Sequence, residues 1–259
     1  MMKKIIHTPL ALLLGTAMFL SACDNKTATP ETASVAGTAI SWQDASAWTA
    51  TYQAAHPKGV RASFYSSNVF NTLLAQPNAT GIRIYNAINA DGKECLVLVG
   101  ATATTDLTGE HYTAYDKGNT CGGDKNCPED SPLSRTSAAG PTRSASVASA
   151  ETAGAAISLQ EAIDWTRNYQ ARHQGHVKAS YFRTDVFKTL INLPSASGIR
   201  IYNATNTQGH DCFVLVGATE NRDLTAESDP VYDKGNTCGG AENCPVDSLL
   251  VYARNPGLK

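Results

Sequence analysis

Laid on itself with a shift of 117 residues, the chain repeats, and no other feature constrains its fold as much. Ile40-Ser41 meets Ile157-Ser158, and Gly81-Ile82-Arg83-Ile84-Tyr85-Asn86-Ala87 meets Gly198 to Ala204 without a change. Val97 to Thr102 meets Val214 to Thr219, and Tyr115 to Gly123 meets the same nine residues at Tyr232 to Gly240. More than half of the positions from 40 to 133 are identical in the second copy, and no gap is needed. A period this long with only two copies is a duplicated domain rather than a solenoid, whose repeats share a core only when three or more stack.

The composition between the copies sets the boundaries. Residues 134–156 are almost entirely Ser, Ala, Thr and Gly, and residues 24–38 have the same character. Segments so poor in apolar side chains bury too little surface to offset the entropy of ordering, so they read as flexible joints. The expected layout is a tether over 23–38, repeat domain 1 over 39–133, a linker over 134–156, repeat domain 2 over 157–250 and a tail over 251–259. Each unit, about 95 residues, is long enough to fold alone.

Within a unit the periodicity predicts an α-β-α-β-β order, an α+β domain. Ser41-x-x-Asp44 and Ser158-x-x-Glu161 are helix starts, the serine capping a free N–H and the acid favouring the positive helix end. Ala45, Trp48 and Tyr52, like Ala162, Trp165 and Tyr169, then share a helical face. A strand follows near Val60–Tyr65. A second helix carries Val69, Phe70, Leu73 and Leu74 and stops before Pro77. Gly81–Ile88 and Glu94–Ala101 form a hairpin, with Ile82 and Ile84 on one face of its first strand and Arg83 and Tyr85 on the other. A polar, glycine-rich loop ending in Cys-Pro closes each unit.

The N-terminus carries a separate message. Met1-Met2-Lys3-Lys4 precedes an apolar run from about Leu10 to Leu20, and then Leu20-Ser21-Ala22-Cys23. A positive start, a short apolar core and small residues before a cut site make residues 1–22 a signal peptide. Leu-Ser-Ala-Cys resembles the lipobox of bacterial lipoproteins. The resemblance implies cleavage before Cys23, acylation of its thiol and anchoring to a cell-envelope membrane, since two or more buried acyl chains hold stably where one does not. Asp24 resembles the inner-membrane retention signal of enteric lipoproteins. Losing Lys3 and Lys4 lowers the 21 basic residues to 19 against 23 acidic, a formal charge of about −4. That is no surface for nucleic acid.

Each copy holds three cysteines. Cys121 and Cys127, like Cys238 and Cys244, bracket a Gly-Gly turn, and export favours oxidation, so a local disulfide in each loop is expected. Cys95 and Cys212 then remain as buried thiols in a strand, with a bond to a loop cysteine as the rival pairing. Three thiols suggest a metal, but a fourth ligand is missing. His111 is matched by Ser228, and His56 and His173 sit at the far end of the first helix. The loop oxygens of Asp116, Asn119, Asn126 and Asp130, matched by Asp233, Asn236, Asn243 and Asp247, lie off the EF-hand spacing. No cofactor is implied. Arg83 with Tyr85, and Arg200 with Tyr202, form a polar strand face suited to a carboxylate or a partner chain.

No nucleophile elbow, phosphate loop or HExxH is present. The Gly-Ile-Arg-Ile-Tyr and Leu-Val-Leu-Val-Gly segments resemble bacterial domains with no assigned role, a likeness that carries no function. The reading is of a membrane-anchored binding lipoprotein with two copies of one module, its partner a protein, peptide or envelope polymer. The alternatives are metal binding or redox sensing through the cysteine loops, and an enzyme using Cys95 and Cys212 with His56 and His173.

Overall fold

The structure is a computed structural model that describes residues 36–109, 111–122, 127–128, 131–133, 153–226, 228–233, 235–239, 244, 248 and 250. Residues 1–35, on which the expected signal peptide and the expected lipid site Cys23 fall, lie outside the described residues, as do residues 134–152 and 251–259. The first copy runs β1 (Thr38–Ile40), α1 (Trp42–Ala55), β2 (Val60–Ser66), α2 (Ser67–Leu74), β3 (Gly81–Ile88), β4 (Glu94–Ala101), β5 (Ala114–Asp116) and β6 (Asn119–Gly122). The second repeats the order as β7 (Ala155–Ile157), α3 (Leu159–Arg172), β8 (Val177–Arg183), α4 (Thr184–Ile191), β9 (Gly198–Thr205), β10 (Asp211–Ala218), β11 (Val231–Asp233) and β12 (Asn236–Gly239). No helix among the described residues is long and apolar enough to cross a membrane.

Local chemistry explains the elements. The Ser41 hydroxyl accepts from the Asp44 N–H at 3.0 Å and starts α1. Ser158 and Glu161 bond reciprocally, at 3.2 and 2.9 Å, to start α3, each pair satisfying backbone donors that a helix start leaves open. At the other end, the N–H groups of His56 and His173 bond the Tyr52 and Tyr169 carbonyls, and each imidazole stacks on that tyrosine at 4.4 Å.

The fold is α+β, with antiparallel sheets, but its strands do not stay within their copies. One six-stranded sheet has the order β1-β11-β10-β9-β2-β6 and the other β12-β8-β3-β4-β5-β7. At the centre of the first, β2 pairs with β9, from Ala62 opposite Tyr202 to Ser66 opposite Gly198. At the centre of the second, β8 pairs with β3 in the corresponding register, Ala179 opposite Tyr85 and Arg183 opposite Gly81. Each sheet thus takes three strands from each copy. The expected pair of self-contained domains on a soft linker is corrected accordingly: both copies belong to one compact unit.

The cause is legible in the two strand faces. On one side, Ile82, Ile84, Leu96 and Leu98 of one sheet and Ile199, Ile201, Phe213 and Leu215 of the other join a single core with α2 and α4. There Phe70 and Phe187 stack at 5.5 Å. On the outer faces, α3 seals the sheet containing β3, and α1 seals the sheet containing β9. The central strands are therefore covered on both faces, by the shared core on one side and a helix on the other.

Two boundaries shift as well. Residues 36–38 and 153–156, read as flexible joints, belong to the fold. Ala36 and Ala153 are fully buried or nearly so, and their carbonyls accept from the Arg183 and Ser66 N–H groups across the copies. Gly37 and Gly154 follow at φ of 85° and 96°. A Cβ there would stand 2.6 Å from Val186 and 2.7 Å from Val69 respectively. Only glycine accepts both that backbone and that contact.

Candidate functional site

The four residues read as an exposed contact face lie inside the molecule. Arg83 and Arg200 are 2% exposed, and Tyr85 and Tyr202 are fully buried. The Arg83 guanidinium pairs with Asp106 and donates to the Thr102 and Ala103 carbonyls at 3.1 and 2.9 Å. Arg200 does the same with Asp223 and the Thr219 and Glu220 carbonyls. Each guanidinium lies 5.3 Å from an aromatic ring of the other copy, Arg83 over Tyr181 and Arg200 over Phe64. Tyr85 donates to Asp106 and Tyr202 to Asp223, while their hydroxyls meet Ser248 and Ser131 at 3.0 Å. Burial pushes both phenols well above the ordinary tyrosine range.

The alternation along the strand holds, but its outer face differs from the expected solvated face because a helix covers it. A buried charge is tolerable only when paired and hydrogen-bonded. Here the pairing also joins the copies, since Tyr85–Ser248 and Tyr202–Ser131 each link one copy to the other. The aspartates and serines escaped the sequence reading. Their signal was present, for Asp106-Leu107-Thr108 recurs as Asp223-Leu224-Thr225 and Ser131 as Ser248.

The loop cysteines are bonded in pairs, Cys121 to Cys127 and Cys238 to Cys244, with Cα separations of 4.8 and 4.5 Å. Closing so short a loop contributes about 2.4 kcal/mol on the chain-entropy account. Each bridge staples the segment after an edge strand, β6 against β2 and β12 against β8. Cys95 and Cys212 are free and buried. Burial pushes both thiols far up, helped by an adjacent carboxylate that repels the thiolate and accepts a hydrogen bond from the S–H, Asp116 for Cys95 and Asp233 for Cys212. A nucleophilic cysteine needs its thiolate. These are held as neutral thiols, and no histidine is among the groups that act on either.

Asp116, placed in the candidate calcium loop, instead faces inward toward Cys95 and Tyr65, and burial raises its pKa. Asn119 reaches Glu220 of the other copy at 2.7 Å. Asn126, Asp130, Asn243 and Asp247 lie outside the described residues. Among the described residues, no three His, Cys, Asp or Glu side chains gather closely enough to hold a metal ion.

Where the helix ends of the two copies approach, a small ionic cluster forms. His173 lies 3.9 Å from Glu94, and His176 lies 3.1 Å from Asp211. Partial burial lowers the His173 pKa, opposed by Glu94 and reinforced by His176, His56 and Arg172.

A cleft of about 520 Å³ has walls from both copies. Ile40, Asp44 and Trp48 come from β1 and α1. His210, Asp211 and Asp233 come from the β9–β10 turn, β10 and β11. Among the described residues that line it, Asp44, Asp211 and Asp233 stand against His210. The Trp48 indole N–H is buried without a hydrogen-bond partner among the described atoms. No protein-family model, no curated protein and no solved structure matches this chain.

Proposed function

We propose that the protein is an exported lipoprotein of the bacterial cell envelope, held to a membrane by a lipid on Cys23, with Asp24 favouring the inner membrane. In this reading its folded part is a rigid binding body, and its partner is a peptide or protein segment bearing positive charge. The cleft carries the reading: an aromatic wall beside the exposed Asp44 and the partly exposed Asp211 suits a lysine or arginine side chain, through its charge and through the indole face. Cys23 lies outside the described residues, and the lipobox sequence supports its part. The thiols add no catalytic reading, since a buried neutral thiol is inert.

The test uses the soluble chain from Asp24 and two short peptides, tri-lysine and tri-glutamate, followed by tryptophan emission at low salt. The lysine peptide should give a saturable change and the glutamate peptide none. Asp44→Lys, on an exposed position of the cleft wall, should weaken the response about fivefold or more, the scale of one lost and one reversed charge contact. A flat titration with both peptides would remove the cleft as the binding site.

A further inference from the structure

The seam between the copies is built twice from the same parts. Ala62 opposite Tyr202 recurs as Ala179 opposite Tyr85, and Phe64 opposite Arg200 recurs as Tyr181 opposite Arg83. The Ser67 N–H bonds the Ser197 carbonyl at 2.8 Å, and the Thr184 N–H bonds the Thr80 carbonyl at 3.0 Å. Asn86 donates to the Val177 carbonyl at 3.2 Å, and Asn203 to the Val60 carbonyl at 3.0 Å. None of these contacts involves residues 134–152, which join the copies covalently. The surface that completes a copy is therefore a property of the module and not of the connection.

We propose that this surface is homotypic: the partner each copy recognises is another copy of the module, and a second molecule of this chain can supply it. The product is a strand-exchanged dimer, two chains forming two complete bodies, each built from the first copy of one chain and the second copy of the other. Exchange of identical elements costs little, because every contact in the product already exists in the monomer. A short connection places the two copies of one chain at roughly millimolar concentration relative to each other. Self-closure therefore dominates in dilute solution, and exchange competes when chains fold at comparable density, as they would side by side on a membrane. The proposal concerns self-association and stands whether or not the cleft binds a cation.

Native mass spectrometry on the soluble chain from Asp24 decides it. Heavy-isotope and ordinary chains, each with a specific protease site within residues 134–152, are unfolded, mixed and refolded together at about 1 mM, near the effective concentration of the linked copies. The dimer fraction is isolated and cut. Exchange predicts that the dimer separates into monomer-sized bodies, about half of them holding one heavy and one ordinary fragment. Chains folded separately, mixed and then cut set the background, which should be all heavy or all ordinary. A dimer fraction whose bodies never mix isotopes, or no dimer at that concentration, overturns the proposal.

Discussion

The two sheets share a topology and a clasp, yet they differ in how their central aromatics are satisfied. In the first copy β2 carries Phe64-Tyr65; in the second β8 carries Tyr181-Phe182, the same pair reversed. Tyr65 therefore sends a hydroxyl through the shared core to the Leu96 carbonyl at 2.9 Å and toward Asp116 at 3.4 Å, joining one sheet to the other. Phe182, at the matching place, brings no hydroxyl. On the opposite face the situation inverts. Tyr181 meets the Thr80 hydroxyl at 2.9 Å, whereas its counterpart Phe64 brings no hydroxyl, and the equivalent Ser197 hydroxyl is buried with no partner among the described residues. One hydroxyl has in effect moved from one face of the strand to the other. The comparison separates what closes the fold, which is duplicated, from what tunes it, which is not.

The clasps are the place to break that equivalence first. Arg83→Ala and Arg200→Ala each strand a buried aspartate, a defect that costs about 3–5 kcal/mol. Because the clasps match contact for contact, the two variants should lose nearly equal stability in chemical denaturation. A loss in one and not the other would show that the halves are held differently. A selective loss of peptide binding with stability intact would return these arginines to the contact surface.

A smaller effect tests the displaced hydroxyl. Tyr181→Phe should cost about 0.5–1.5 kcal/mol, leaving Thr80 in the position Ser197 now occupies. Phe64→Tyr should return a similar amount by giving Ser197 a partner. Thermal unfolding of both variants checks the pair, and Phe64→Tyr is the informative one. If it destabilises the chain, the pocket over Ser197 lacks room for the oxygen and the unpartnered hydroxyl is not the copy's real deficit.

Between the two helix ends the asymmetry is ionic. Copy two has His176 where copy one has Gly59, and His173 has a lowered pKa that its surroundings impose. A histidine whose folded pKa lies below its unfolded value stabilises the fold above about pH 6.5 and withdraws that support as pH falls through the folded value. Acidification from pH 7 to 5 should therefore loosen the end of α3, and His173→Gln should blunt the change. Burial sets the direction, and Glu94, His56, His176 and Arg172 are the charges that act on it, with Asp211 facing His176. Hydrogen exchange at residues 169–176 and 52–59 provides the measurement. Equal acid sensitivity at both ends would dismiss the role of the extra histidine.

Much of the local structure was legible because its causes are local. Ser41 and Ser158 announce helix starts, Gly81–Ile88 and Glu94–Ala101 a hairpin, and the alternation from Ile82 to Tyr85 the faces of its first strand. The paired loop cysteines follow from their spacing around two glycines. What escaped was every feature that depends on which copy a strand meets. A strand with a charged alternate face looks solvated until a helix is known to cover it, and nothing near Arg83 in sequence names Asp106 or Ser248 as its company. The Ala-Gly pairs at 36–37 and 153–154 were the available clue to the true boundaries. They extend the repeat into segments whose composition alone suggested joints.

The pairing of strands across the copies also imposes an order on synthesis. When residues 36–133 have been made, β2 and β3 still await the neighbours that complete them, β9 and β8, which come later in the chain. Until then the first copy presents open hydrogen-bonding edges and an uncovered apolar face, the kind of surface that invites aggregation. A chain stopped after the first disulfide loop would be an unfinished product and not a smaller version of the protein. Residues made early and late are thus interdependent, since the strands of the first copy find their central sheet neighbours only in the second.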